Sequence, residues 1–260
     1  LGLRDCNEAS FTQVLQILEY MNDATSLPIL VDGDTGYGDF NTARRFVRKL
    51  EQIGIAGVCF EDKVFPKTNS FIEVKGGQKL ADIREFCGKI RACKDAQATK
   101  DFVVVARIEA FISGLGLEEA LIRAKAYQQA GADAVLVHSK IKSCQDIDDF
   151  MQRWDNSCPV VIVPTTYNMT PTEHFKEIGC SLVIWANHNM RASIKAIEDV
   201  SKQIFDNQNI QELDDKIKSV KDIFEYTKEA ELKDDEKKYM NYVKLDHDQQ
   251  VNPVISNQSI

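Results

Sequence analysis

Two carboxylates two positions apart, Asp32 and Asp34, lie in the glycine-rich stretch VDGDTGYGDF at 31–40. A hard divalent cation such as Mg²⁺ takes oxygen ligands and keeps several waters, so this pair can give one direct and one water-mediated contact. The same residues would also suit an ordinary turn with an aspartate as helix N-cap. Gly33, Gly36 and Gly38 let the backbone bend and come close to a ligand. A second group occupies FEDKVFPKTNSF at 60–71, where Glu61 and Asp62 end an apolar run and Lys63, Pro66, Lys67 and Asn69 follow on a loop. Acid at a strand end followed by Lys and Asn suits a lid closing over a metal-bound anion. Alternating acid and base equally suits a solvated rim. Arg107 interrupts the apolar VVVARIEAF at 103–111. A charge there is costly unless paired, which makes it an ion pair with Glu109 or another acid, or an anion clamp. His138 closes AVLVH and is either a hydrogen-bonded structural residue or a site residue. His174, His188 and His247 show no ligand spacing, and Asn187 reads as a structural residue capping a helix.

The elements that must position these residues are short, β-branched and apolar: 28–32 (PILVD), 55–62 (IAGVCFED), 102–109 (FVVVARIE), 134–138 (AVLVH), 159–164 (PVVIVP) and 182–187 (LVIWAN). Helical periodicity fills the gaps at 42–53, 80–94, 117–130, 144–154, 171–178 and 190–207. Strands apolar on both faces and separated by helices predict a parallel sheet covered by helices. No GxGxxG or P-loop follows any of them, which weakens a nucleotide-binding doubly wound sheet. Ionisable residues at the C-terminal ends of several strands instead favour an α/β, TIM-type (β/α)8 barrel, which carries its chemistry at that rim.

Beyond 207 the chain turns charged and helical, with an apolar stripe (Ile217, Val220, Ile223, Phe224, Tyr226) that must pack on the barrel or on a partner subunit. The expected organisation is a barrel domain at 1–207, a helical tail at 208–245 and a disordered polar end at 246–260. Six strand–helix units are two short of eight, and the expectation is that the first two, roughly 50 residues, are missing. Leu1 carries neither an initiator Met nor a signal-peptide pattern.

Composition excludes other classes. With 43% hydrophobic and 28% charged residues in 260, the chain can fill a sizeable core. No apolar run reaches the roughly 18 residues of a membrane span. The net charge of −8 disfavours a nucleic-acid binder but allows a locally positive pocket for a small anion. Seven scattered cysteines without a CxxC pair suggest free thiols in a reducing compartment, hence a soluble intracellular protein, cytoplasmic or mitochondrial.

Taken together, LGLRDCNEAS, DGDTGYGDFN, EDKVFPKTNSF, ARIEAF, GADAVLVHSK, VVIVPTTY and VIWANHN, in this order over residues 1 to about 228, closely resemble the phosphoenolpyruvate phosphomutases of the isocitrate lyase/phosphoenolpyruvate mutase superfamily. The resemblance implies a barrel whose last helix is swapped between subunits, a homotetramer built as a dimer of dimers, and a Mg²⁺ requirement. It implies an isomerase that interconverts phosphoenolpyruvate and 3-phosphonopyruvate, forming a C–P bond for phosphonate biosynthesis. By the same resemblance Asp32 binds Mg²⁺ directly, and Asp34 and Glu61 hold it through waters. Asp5 matches a catalytic aspartate, Lys67 and Asn69 lie on a gating loop, and Arg107 and His138 contact substrate. Lyase branches resemble one another in a KKCGH-type cysteine loop that this chain lacks. Phosphonopyruvate hydrolases resemble it more, but with FPKDTS and GNH where this chain has Thr68-Asn69 and Ala186-Asn187-His188. Two alternatives stand beside the mutase: a phosphonopyruvate hydrolase, and a noncatalytic N-truncated fragment or assembly subunit.

Overall fold

Each apolar run becomes a strand trimmed to its most β-branched core, and each begins where a helix or turn has ended. A computed structural model describes residues 2–75 and 77–240 of the chain. It comprises two compact units, Leu1–Asn187 and His188–Ile260.

In the first unit α1 (Phe11–Asp23) leads into β1 (Leu30–Asp32), α2 (Phe40–Gln52) and β2 (Gly57–Glu61). Then come α3 (Ile83–Ala96), β3 (Val103–Ile108), α4 (Gly116–Gln129), β4 (Ala134–Val137), α5 (Gln145–Arg153), β5 (Val160–Ile162), α6 (Thr172–Glu177) and β6 (Leu182–Val183). All six strands expected from sequence are present, and the six helices expected match α2 to α7 within a few residues. The helix expected to start at Leu80 starts at Ile83, because Asp82 caps it by accepting from the backbone N–H groups of Arg84 and Glu85. Helix α1 was not among the expected elements. Its start is a capping box, in which Ser10 accepts from Gln13 N and the Gln13 side chain accepts from Ser10 N.

The sheet is wholly parallel in the order β1-β2-β3-β4-β5-β6. Strands laid down in chain order without a reversal make the arc of a barrel, whereas a doubly wound sheet changes direction at a switch point. Register then sorts the side chains. Asp32 lies beside Cys59, Glu61 beside Arg107, and Arg107 beside Leu136. Since successive side chains alternate between faces, Leu30, Cys59, Val105, Leu136 and Val161 form one small cluster on the inner face. Val31, Val58, Phe60, Val104, Ala106 and Val135 point the other way into the main core beneath the helices. Continuing the inner row by steps of two toward the C-terminal ends gives Asp32, Glu61, Arg107, Glu109 and His138.

Phe46 of α2, fully buried, anchors this end of the unit. Its ring meets Phe11 of α1 at 6.1 Å, Tyr37 of the glycine loop at 5.0 Å and Phe60 of β2 at 6.5 Å. Aromatic packing therefore fixes the loop that follows Asp32 against three elements.

The second unit comprises α7 (His188–Asn207), α8 (Val220–Tyr226) and α9 (Glu229–Tyr239). Ser219 and Asp222 form a capping box at the start of α8. None of these helices buries a residue, and Ile194, Ile197, Ile204, Ile223 and Phe224 are exposed. Among the described residues no helix is long and apolar enough to cross a membrane. The segment expected to be disordered, 246–260, lies outside the described residues.

Candidate active site

The glycine loop after β1 is a strained turn. Asp34 and Tyr37 adopt left-handed backbone conformations with φ of 52° and 58°, which few non-glycine residues tolerate. Gly33 is required for another reason: a Cβ there would stand 2.6 Å from Val58 Cγ2 and 2.7 Å from Phe60 Cε1. Lys89 of α3 holds the turn from below, its buried ammonium donating to Thr35 O at 2.6 Å and Gly38 O at 3.0 Å. Glu61 N donates to Asp34 O at 2.7 Å, stitching the turn to β2. Asp39, not Asp32 or Asp34, is the N-cap of α2, and Asp32 Oδ1 accepts from Asp34 N at 3.0 Å within the turn.

The loop after β2 folds over this turn. Lys67 is 7% exposed and Lys63 3%, which excludes a solvated rim for either. Lys67 Nζ pairs with Asp5 at 2.7 Å and with Asp34. Asn69 Nδ2 donates to Asp5 Oδ2 at 2.5 Å. Asn7 joins the same three segments, accepting from Lys67 N at 2.7 Å and donating to Asp34 Oδ2 at 3.1 Å. Burial lowers the Lys67 pKa, but the charges of Glu61, Asp32 and Asp34 outweigh it and hold the ammonium. Burial also raises the Asp5 carboxyl, and here Lys67 and Asn69 win, leaving it below its ordinary value. Asp34 is raised, since burial and the neighbouring Asp32 outweigh Lys67.

Deeper in, Glu109 is a fully buried hub. It accepts from Arg107 Nε at 2.5 Å and from Ser70 Oγ at 2.8 Å, lies 3.1 Å from Lys63 Nζ, and meets His138 Nδ1 at 2.8 Å. Arg107 also reaches Glu61 at 3.4 Å and Ser70 at 3.1 Å. The alternatives for Arg107 thus resolve to paired acids, Glu109 and Glu61, while its guanidinium still lines the cleft described below. Burial opposes ionisation of Glu109, yet Arg107 and His138 overcome it and keep the carboxyl well below the usual range. Burial and the adjacent Arg107 lower the His138 pKa, and His138 Nδ1 lies 2.8 Å from both Glu109 Oε1 and Arg107 Nη2. Glu61 goes the other way: burial, with Glu109 adding to it, pushes it up to about 7 against Arg107. Its Oε1 atom is buried without a hydrogen-bond partner.

A cavity of about 150 Å³ opens among these groups, lined by Asp5, Asp32, Lys67, Asn69, Arg107 and His138. Six of the eight residues expected from sequence therefore face one cleft, and Asp34 and Glu61 sit directly behind it against Lys67 and Arg107. Ser70, Thr165 and Asn187 also line it. Asn187, expected as a helix cap, directly precedes His188 at the start of the next helix and also lines the cleft. Asn7, Ser70 and Lys89 were not singled out, because a lone amide, hydroxyl or helical lysine gives no spacing signal. A larger cavity of about 420 Å³, beside Glu51 and Phe102, opens at the N-terminal ends of the strands, the end where barrels place stability rather than chemistry.

The family model for phosphoenolpyruvate phosphomutase matches residues 1–205. The phosphoenolpyruvate phosphomutase of Tetrahymena pyriformis is 55% identical over 240 residues, covering 92% of this chain and 80% of that protein.

The chain belongs to the phosphoenolpyruvate phosphomutase family.

The crystal structure of phosphoenolpyruvate phosphomutase from Streptomyces platensis subsp. rosaceus superposes with a TM-score of 0.89 at 43% identity, covering 92% of this chain and 83% of that one. A phosphonopyruvate hydrolase in complex with oxalate and Mg²⁺ superposes at 0.84 with 35% identity, covering 92% of this chain and 82% of that one. The parallel sheet with its helices is thus the barrel-type fold of the phosphoenolpyruvate mutase/isocitrate lyase superfamily. In this phosphomutase family member the residues fit a hard divalent cation. Asp32, Asp34 and Glu61 offer only oxygen donors, and the orphaned Glu61 Oε1 is a buried acceptor that a hydrated cation would satisfy.

Proposed function

We propose that this chain is a Mg²⁺-dependent phosphoenolpyruvate phosphomutase, an isomerase that interconverts phosphoenolpyruvate and 3-phosphonopyruvate in phosphonate biosynthesis. The observation that carries this reading is the convergence, in one strand-end cleft, of carboxylates suited to a hard cation with Lys67, Asn69 and Arg107.

In the forward direction the bridging P–O bond breaks, its electron pair stays on oxygen as pyruvate enolate, and C3 of the enolate then bonds to phosphorus. No atom is gained or lost, so no protein acid is needed. The requirement is positioning and charge compensation. Asp32, Asp34 and Glu61 would hold Mg²⁺, which would supply positive charge against the substrate oxygens. Arg107, braced by Glu109 and Glu61, compensates the enolate, and His138 beside it contacts the substrate as a hydrogen-bonding group. Lys67 and Asn69 close over the phosphoryl group, with Asp5 orienting both. Asn69 guides that group from oxygen to carbon and keeps water from it.

A phosphonopyruvate hydrolase would use the same cleft but deliver water to phosphorus. The mutase is favoured by the higher identity to a phosphomutase, 55% against 37% to a phosphonopyruvate hydrolase, and by Thr68-Asn69 on the closing loop. The same reading includes a barrel domain at 1–207 followed by a helical tail, a homotetramer, and an intracellular location suited to seven cysteines with no disulfide. Phosphorus NMR of the protein with phosphonopyruvate and Mg²⁺ tests the function. Phosphoenolpyruvate is the expected product; phosphate and pyruvate would establish a hydrolase, and no turnover would favour the noncatalytic fragment.

A further inference from the structure

We propose that Cys144, Asp148 and His174 form a second metal site, for a borderline-soft ion of the zinc class, bridging α5 and α6 in the first unit. Cys144 is the N-cap of α5 and Asp148 follows one turn later, so the two side chains share a helix face. His174 reaches them from α6, its Nε2 lying 2.7 Å from Asp148 Oδ1. One ligand atom from each of the three lies within 4.8 Å of the others. Tetrahedral zinc, with arms of about 2.0–2.3 Å, sets its ligand atoms about 3.3–3.8 Å apart, so small side-chain adjustments complete the geometry.

Donor type selects the ion. Sulfur and imidazole nitrogen disfavour Mg²⁺ and suit zinc or cobalt. A thiolate, a carboxylate and a neutral imidazole together balance a divalent charge, which lets the centre sit half-buried. Cys144 is buried, whereas the Asp148 and His174 side chains are 35% and 37% exposed, leaving an entry route and a fourth position open to water. Binding of an ion by Cys144 would release its thiol proton. An ion here would also clamp α6, a helix of six residues that has too few turns to hold itself.

None of these residues touches the catalytic cleft, so the test is independent of the proposed activity. The full chain, saturated with Mg²⁺, is titrated with Co²⁺ as a spectroscopic stand-in for zinc. The expected result is one equivalent bound with a thiolate-to-cobalt charge-transfer band in the near ultraviolet, bleached by Zn²⁺. Cys144→Ser should abolish the band. His174→Ala, a half-exposed change that leaves the core intact, should weaken Co²⁺ binding by roughly 100-fold or more, since loss of even an outer-shell partner costs about 10–100-fold. Asp32→Ala should leave the band in place. No band in the wild type, a band surviving Cys144→Ser, unchanged affinity in His174→Ala, or loss of the band in Asp32→Ala would each overturn the site.

Discussion

Replacing Glu109 with glutamine probes the network that braces Arg107. The carboxylate is fully buried and meets Arg107 Nε through Oε1 and Lys63 Nζ through Oε2. Glutamine keeps the size but carries one acceptor and one NH₂ group, so whichever way the amide turns, a donor faces a buried cation. Breaking a buried ion pair costs about 3–5 kcal/mol. Glu61, 3.4 Å from Arg107 and 4.0 Å from Lys63, still compensates part of the charge, which places the expected loss near 3 kcal/mol. With an m-value of about 3 kcal/mol/M, the urea midpoint followed by circular dichroism falls by about 1 M. The sign with pH follows from the depressed folded pKa of Glu109. Its contribution is present above the unfolded carboxylate value and is lost only as pH falls through the lower folded one. The part of the gap between wild type and variant that comes from Glu109 itself therefore narrows in acid. Because Glu109 is one cause of the raised pKa of Glu61, about 7, the gap also narrows as pH rises through neutrality and Glu61 ionises beside Glu109 in the wild type. Turnover falls as well, since Arg107 loses its brace. A midpoint shift below about 0.2 M with unchanged activity would refute the hub. Lys125→Ala, which breaks the exposed pair with Asp155 at 2.6 Å, serves as the control and should leave the midpoint where it was.

Asp32→Ala should lower Mg²⁺-dependent turnover of phosphonopyruvate by about 1000-fold or more while the protein remains folded, and retained activity at saturating Mg²⁺ would contradict its metal role. Gly33→Ala drives a methyl to within 2.6 Å of Val58 Cγ2. It should destabilise by about 1–3 kcal/mol and, because Asp32 and Asp34 flank it, raise the Mg²⁺ concentration for half-maximal activity; thermal melts with a Mg²⁺ titration check both.

The candidate site was legible where chemistry follows from local order. A strand end marks the rim of a parallel sheet, which places Asp32, Glu61, Arg107, Glu109 and His138 there before any contact is known, and the register then sends them to one face. The motif spacing that carried the family resemblance is equally a property of the linear chain. Helix α1 was in principle legible too, through the Ser10–Gln13 capping box, but of its apolar positions only Leu18 is buried.

Partnership is what the tertiary structure decided. Asn69 and Asp5 meet across 64 residues and Lys67 and Asn7 across 60, separations over which no periodicity operates. Whether Lys63 and Lys67 lie in water or under a loop depends on how that loop folds over the glycine turn, and the buried acids there outweigh the desolvation of Lys67. Whether Arg107 pairs with Glu109 alone or also with Glu61 depends on the register of β2 against β3, which the packing of both strand faces selects. The sequence by itself determined which side chains reach the rim; only the fold determined which charges compensate one another there, because that depends on distances of a few ångströms between segments that the chain leaves far apart.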